Sequence, residues 1–146
     1  MTTVPLSDYQ RKLCEGNDGY FFLACIEHFG FLVTDRGYKM SFAVLDRGLV
    51  QASFKEDILT EYFEIRLSCD EWDLPWCDIR RFAGLDHQTY LRIGDACALL
   101  SIGFDESPIP DSMLHELATQ SRIKAYANTI RTHFDEFRNI PLGVPQ

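Results

Sequence analysis

The sequence predicts an α+β domain in which an antiparallel β-meander packs between an N-terminal hydrophobic helix and a C-terminal helical region. Three observations support this fold class. Apolar residues recur at helical spacing from Phe22 to Val33. Three segments then alternate apolar and polar residues, and their connections are too short for parallel crossovers. Helical periodicity returns between about residues 111 and 138.

Two helices are expected before the sheet. Ser7 is a good N-cap for a short helix over residues 6–15. Asn17 or Asp18 then caps a second helix that runs to about Asp35. So little of its surface is polar that this second helix is predicted to lie buried across the sheet.

Three strands are predicted over residues 38–45, 49–54 and 61–68, forming a meander of three strands or slightly more. A three-residue loop at 46–48 suits a hairpin with Gly48 at positive φ. One face of these strands is expected to pack on the N-terminal helix, through Met40, Phe42, Val44, Val50, Phe54, Phe63, Ile65 and Leu67.

The segment after the third strand has weaker signals. Residues 69–78 resemble a loop, and Pro75 favours a brief helix through Phe82. Residues 86–104 fit neither the helical nor the strand period.

The C-terminal helix, capped by Asp111, carries two apolar faces that point in nearly opposite directions. This pattern predicts either a break near residues 119–122, with Ser121 capping the second piece, or a helix sandwiched between two layers.

Composition places the whole chain, residues 1–146, in one globular domain, since 46% of its residues are hydrophobic and 25% charged. The net charge of −8 disfavours a nucleic-acid partner, because phosphates would be repelled. Residues 56–78 hold eight acidic residues against one arginine, a net charge of −7. The acidity of the chain is therefore concentrated in its middle.

Compartment and cofactors follow from the cysteines and the apolar segments. Five cysteines without a Cys-x-x-Cys spacing predict reduced thiols and no disulfide. The first residues lack the pattern of a signal peptide, and the stretch 20–33 is too short to span a bilayer. The expectation is a cytoplasmic protein without a membrane segment, metal or other cofactor.

Candidate catalytic and metal motifs are incomplete. His115-Glu116 begins a zinc-protease motif, but Thr119 stands where the second histidine is needed. Cys25 and His28 supply half of a zinc site, and no second pair has ligand spacing. No catalytic residue is predicted.

Two tryptophans coincide with the acidic segment, and this coincidence predicts a docking surface for a basic protein. Tryptophan is enriched at interface centres, and complementary charge steers encounter. The competing interpretation is a solvated surface, with both rings covering the edge of the core. The predicted partner-binding residues are Glu64, Asp70, Glu71, Trp72, Asp73, Trp76 and Asp78.

The order of elements resembles a family. A phenylalanine-rich helix from Tyr20 to Phe29 precedes the meander, whose last strand contains Tyr62 to Leu67. A Leu-x-x-Leu-Ala helix at 114–118 then leads to Tyr126, Ile130 and Phe134. From Gly19 to Asn139 this pattern is similar to small bacterial uncharacterised or immunity-type proteins encoded beside secreted toxins. The resemblance implies a non-catalytic stoichiometric inhibitor that binds a toxin, often a basic nuclease.

Two other classes of function stay open. One is a small-molecule-binding or regulatory domain with a pocket between helices and sheet. The other is an enzyme whose site assembles from Cys69, Cys77, His87 and His115. A concave cluster of polar groups with shifted pKa values would favour the enzyme. A flat acidic face with exposed tryptophans would favour the inhibitor.

Overall fold

The structure is a computed structural model that describes residues 4–58, 61–70, 73–83, 88–104 and 112–141. It is an α+β fold with one antiparallel sheet in the order β1-β2-β3-β4-β5. The helices are α1 (Asp8–Glu15), α2 (Gly19–Phe29), α3 (Phe31–Thr34), α4 (Ile93–Leu100), α5 (His115–Thr132) and α6 (Phe134–Arg138). The strands are β1 (Lys39–Val44), β2 (Val50–Lys55), β3 (Glu61–Cys69), β4 (Trp76–Ala83) and β5 (Gln88–Arg92).

The N-terminal helices form where the sequence predicted them, with one interruption. Ser7 caps α1 by accepting a hydrogen bond from the Gln10 amide, and the Gln10 side chain accepts one from the Ser7 amide. The expected single helix to Asp35 is instead two helices, α2 and α3, which meet at Gly30. That expectation was wrong at this point.

The inner face of the sheet packs on α2 through aromatic rings. Phe22 lies 4.6 Å from Phe42 between ring centroids, and Phe29 lies 5.7 Å from Phe54. Phe63, Ile65 and Leu67 of β3 are fully buried on the same face. Of the eight side chains predicted to face this helix, Val44 is on the predicted face, opposite buried Val50, but it is not buried itself. It lies at the end of β1 and is exposed.

The hairpin between β1 and β2 has the predicted turn. Asp46–Gly48 form a single 3₁₀ turn, and Gly48 has φ of 74°. Glycine has no Cβ and adopts positive φ without steric strain, so Gly48 allows the chain to make this turn. The register pairs Val44 with Val50 and Phe42 with Ala52.

The sheet has two more strands than the three predicted. The expectation of a short helix from Pro75 to Phe82 was wrong, because Trp76–Ala83 form β4. Proline is tolerated just before a strand. The inward position of Arg81 interrupts the apolar alternation and concealed the strand in the sequence. Residues 88–92 form the edge strand β5 and run directly into α4.

The C-terminal helix is not broken near Ser121. Helix α5 continues to Thr132, and the interruption before α6 falls at His133. Its buried face includes Ile123, Tyr126, Ala127 and Ile130. On the second apolar face, Ala118 is buried, but Leu114 and Leu117 keep 70% and 52% of their surface exposed. This face is therefore not covered by a second layer as the sandwiched helix would require. The predicted cap Asp111 lies outside the described residues.

Candidate functional site: the outer face of the sheet

Strand register places charged side chains side by side on the outer face, away from α2. Lys55 of β2, Glu64 of β3 and Arg80 of β4 are successive cross-strand neighbours in one row. Arg66, Asp78 and Arg92 are successive neighbours in the next row. Because cross-strand partners share a face, the six side chains form a grid with alternating sign. We call Lys55, Glu64, Arg66, Asp78, Arg80 and Arg92 the charge grid.

Each carboxylate of the charge grid has cations around it. Arg66 Nε donates to Glu64 Oε2 at 2.7 Å. Arg92 Nε lies 3.3 Å from Asp78 Oδ1, and Arg80 Nη1 lies 3.7 Å from Asp78 Oδ2. These two carboxylates face four cations across the grid, which therefore has a net charge of +2 in a chain whose net charge is −8.

The centre of the charge grid is withdrawn from water. Glu64, Asp78 and Arg80 retain only 3%, 6% and 7% of their accessible surface. Burial raises the pKa of Asp78, although Arg92 and Arg80 act in the opposite direction. Burial also lowers the pKa of Arg80, and neighbouring Arg66 lowers it further. Desolvation is therefore the dominant electrostatic effect at these two groups.

One oxygen of the charge grid lacks a hydrogen bond. Asp78 Oδ1 is buried, and no described residue donates a hydrogen bond to it, since the contact with Arg92 is close but poorly aligned. A buried acceptor without a donor costs stability.

Aromatic rings surround the charge grid. The Arg92 guanidinium lies 5.0 Å from the centroid of Trp76, and that of Arg80 lies 4.9 Å from the centroid of Tyr90. At the other end of the face, Tyr62 and Phe82 stack at 4.6 Å. Tyr90 is 55% exposed, so part of this aromatic surface is accessible to another molecule.

A cavity of about 320 Å³ opens where β5 passes into α4. Trp76 and Arg92 lie on its sheet side, Gly94 and Asp95 belong to the first turn of α4, and Tyr126 comes from α5. The Tyr126 hydroxyl donates to the Pro75 carbonyl at 2.8 Å, which holds the β4 end against α5. A second cavity of about 300 Å³ shares Gly94 and continues along α4.

The structure divides the predicted partner-binding residues between two places. Glu64 and Asp78 lie in the charge grid, and Trp76, half-buried, lies beside it. In the connection between β3 and β4, Asp70 Oδ1 accepts from the Asp73 amide at 2.7 Å, and Asp73 is exposed. The other two predicted residues, Glu71 and Trp72, lie outside the described residues.

Sequence reasoning missed the residues that complete this face, namely Arg66, Arg80, Tyr90 and Arg92. A signal was present, because Glu64-x-Arg66 and Asp78-x-Arg80 both place opposite charges two residues apart. That spacing puts both members on one face of a strand. It was not recognised since β4 and β5 were not predicted as strands.

Two of the residues considered for a catalytic site, Cys69 and Cys77, are buried. Burial raises the pKa of Cys69 to about 11 and that of Cys77 well above its usual value, so both remain thiols near neutral pH. His115 packs edge-on against Tyr20 at 5.9 Å, and His87 lies outside the described residues. Within the described ranges, no three His, Cys, Asp or Glu side chains are arranged to hold a metal ion.

Comparisons with protein-family models, curated proteins and solved structures give no match to this chain. None of the helices in the described part of the chain has the length and apolar character needed to cross a membrane.

Proposed function

We propose that this chain is a non-catalytic protein-binding module that uses the outer face of its sheet as the docking surface. The observation that carries the proposal is the grouping of Trp76 and Tyr90 with Arg92 of the charge grid. Tryptophan, tyrosine and arginine are the residue types most enriched among interface anchors. Here they lie together on one face, next to a cavity that can receive a side chain.

The folded structure weakens the reason to expect a basic partner. The expectation of a basic partner rested on the acidic residues of the segment 56–78. Four of those eight residues form ion pairs with other residues of the chain: Glu56 with Arg138, Asp57 with Lys39, Glu64 with Arg66, and Asp78 with Arg80 and Arg92. The Asp57–Lys39 pair is exposed. The charge of these four residues is offset locally, so they attract a basic protein less than the sequence implied. Asp73, in the connection between β3 and β4, remains exposed.

An immunity-type inhibitor is a role that fits such a module. Inhibitors of this kind act by occupying a surface and need no chemistry of their own. A preorganised sheet face suits that task, because rigid side chains lose little entropy on binding. The aromatic and arginine anchors support this role, and they do so independently of the overall acidity of the chain.

A pull-down with paired variants tests the proposal. The double variant Tyr90→Ala with Arg92→Ala removes two accessible anchors from the outer face. The matched control is the double variant Tyr9→Ala with Arg11→Ala in α1. It also removes an exposed tyrosine and an exposed arginine that are two residues apart. Capture of partner proteins from the native cell extract is expected to fall about tenfold or more for the first variant alone.

Circular dichroism shows whether both variants remain folded. Equal capture by the wild-type protein and the folded outer-face variant would contradict the proposal. Loss of capture in the α1 control alone would indicate that the docking surface is at α1.

The cavities at α4 support a second candidate, a small-molecule-binding domain. Volumes of about 300–320 Å³ lie at the lower end of the range for ligand sites. Fragment screening by NMR separates this candidate from the first. Shifts clustered at Gly94, Cys97 and Ile102, without shifts at Tyr90, would favour the small-molecule role.

A further inference from the structure

The two edges of the sheet differ in how their backbone is protected. At the β1 edge, Gln10 of α1 donates through Nε2 to the Met40 carbonyl at 3.2 Å. Lys39, also on β1, pairs with Asp57 at 3.1 Å. Within the described part of the chain, β5 has a strand partner on one side only, β4. An edge strand presents unpaired amides and carbonyls, which form a template for another strand.

The side chains of β5 match this role. Gln88, Tyr90 and Arg92 are exposed on the outer face, while Thr89 and Leu91 between them are half-buried. An added strand would therefore find a polar and aromatic row on one side and an apolar row on the other. Main-chain hydrogen bonds supply affinity in such complexes, and the alternating side chains supply specificity.

The row of the charge grid that reaches this edge ends on a cation. Arg66, Asp78 and Arg92 alternate in sign across β3, β4 and β5. The next position, beyond Arg92, would be occupied by the residue of an added strand. Opposite charges directly across from each other stabilise strand pairs, and like charges destabilise them. A carboxylate at that position continues the alternation.

We propose that β5 accepts an extended segment of the partner protein as a sixth strand, with an aspartate or glutamate of that segment opposite Arg92. The inference rests on the proposed function and adds to it the geometry and chemistry of the partner. The carboxylate pairs with Arg92, whose charge is half-exposed, and an adjacent apolar side chain enters the cavity beside Trp76. A protein is favoured over single-stranded nucleic acid, because only a peptide backbone can pair in register with the amides and carbonyls of β5.

Short blocked peptides test the inference directly. The probe is acetyl-Thr-Glu-Val-Thr-Val-Thr-amide, and its matched control replaces the glutamate by lysine. Addition of the probe to the isotope-labelled full chain is expected to shift the amide resonances of residues 88–92. The glutamate peptide is expected to bind about 3–10 times more tightly than the lysine peptide. A version of the probe with every backbone nitrogen methylated is expected not to bind, because it has no amide hydrogen left to donate to an edge strand.

A charge exchange sharpens the test. Arg92→Glu is expected to reverse the preference, so that the lysine peptide binds more tightly. Arg92→Gln keeps a polar side chain without a charge, and the two peptides are expected to bind this variant with equal affinity. This variant keeps the test valid if Arg92→Glu does not fold.

Several outcomes would overturn the inference: equal binding of both peptides to the wild-type protein, unimpaired binding of the methylated peptide, or shifts confined to residues other than 88–92. Binding of a labelled single-stranded oligonucleotide to this edge in place of the peptide would also overturn it. These results can be told apart from failure of the proposed function. If pull-down still depends on Tyr90 and Arg92 while the peptides fail, docking on the outer face stands and strand addition falls.

Discussion

The same five strands build two faces of opposite character. On β3, the inward residues Phe63, Ile65 and Leu67 fill the core, whereas Glu64 and Arg66 between them form an ion pair on the outer face. Both faces exclude water at the centre, yet for different reasons. Apolar area stabilises the inner face. The outer face is compact because long charged side chains and aromatic rings cover one another. A buried position on a strand therefore does not identify the core without the chemistry of the side chain.

The largest effect is expected on the inner face. Phe63→Ala should lower the free energy of unfolding by about 3–5 kcal/mol, because it leaves a ring-sized cavity between the sheet and the helices. Denaturant melting measures the loss. The matched variant is Tyr62→Ala, which removes a half-buried ring from the neighbouring outer position and should cost clearly less. Equal losses in the free energy of unfolding would mean that the inner and outer rings contribute equally to stability, against this prediction.

A smaller loss is expected when the outer face loses one charge. Glu64→Gln should cost about 1–3 kcal/mol, because half-buried Arg66 loses the carboxylate to which its Nε donates. Glu64→Gln combined with Arg66→Gln should cost less than the sum of the two single variants. Strict additivity in this double-mutant cycle would show that the pair at 2.7 Å does not couple the two residues energetically.

The outer face is also expected to make stability depend on pH, through Asp78. Its pKa in the folded chain is raised above the ordinary value of 3.8, so the folded state holds this proton at pH values where the unfolded state has lost it. The contribution to stability is greatest below the ordinary pKa and is lost as pH rises through the folded pKa. The stability of the wild-type protein relative to Asp78→Asn should therefore fall over that interval. A constant difference from acid to neutral pH would contradict the raised pKa.

The smallest expected effect concerns the thiols of the core. Cys25 and Cys77 are buried and have pKa values raised by desolvation, so oxidation and metal binding are disfavoured at both. Thermal melting with and without a chelator and a reductant should give overlapping curves. Alkylation of the folded chain should modify half-exposed Cys14 first. A marked drop in melting temperature with chelator would revive a metal site at Cys25 and His28.

Much of the architecture could be predicted because its signals are local. The Ser7 cap, the turn at Gly48 and the alternation of β1, β2 and β3 each depend on residues close together in the chain. Other elements could not be found in this way. Arg81 breaks the alternation of β4 because its guanidinium reaches the carbonyls of Arg138 and Ile140, which are distant in sequence. The apolar residues Leu114 and Leu117 indicated a second buried face, although the structure leaves both exposed.

The candidate site was predictable only in part. Glu64, Trp76 and Asp78 were named from the coincidence of charge and tryptophan, and all three lie on or beside the charge grid. Their partners Arg80 and Arg92 were not named, because the net charge of a segment says nothing about which cations the neighbouring strands bring to it. Half of the acidic residues in the segment 56–78 form ion pairs in the folded chain, so the charge of the sequence overstates the charge of the folded surface.

The sequence by itself determined the α+β class, the meander and the apolar face of the sheet. Periodicity and turn chemistry are properties of consecutive residues, so they can be recognised without a fold. Only the tertiary structure decided that the outer face of an acidic chain carries a grid of net charge +2. The electrostatic energy of a side chain depends on distances across strands and on burial, and both are set by register once the chain has folded.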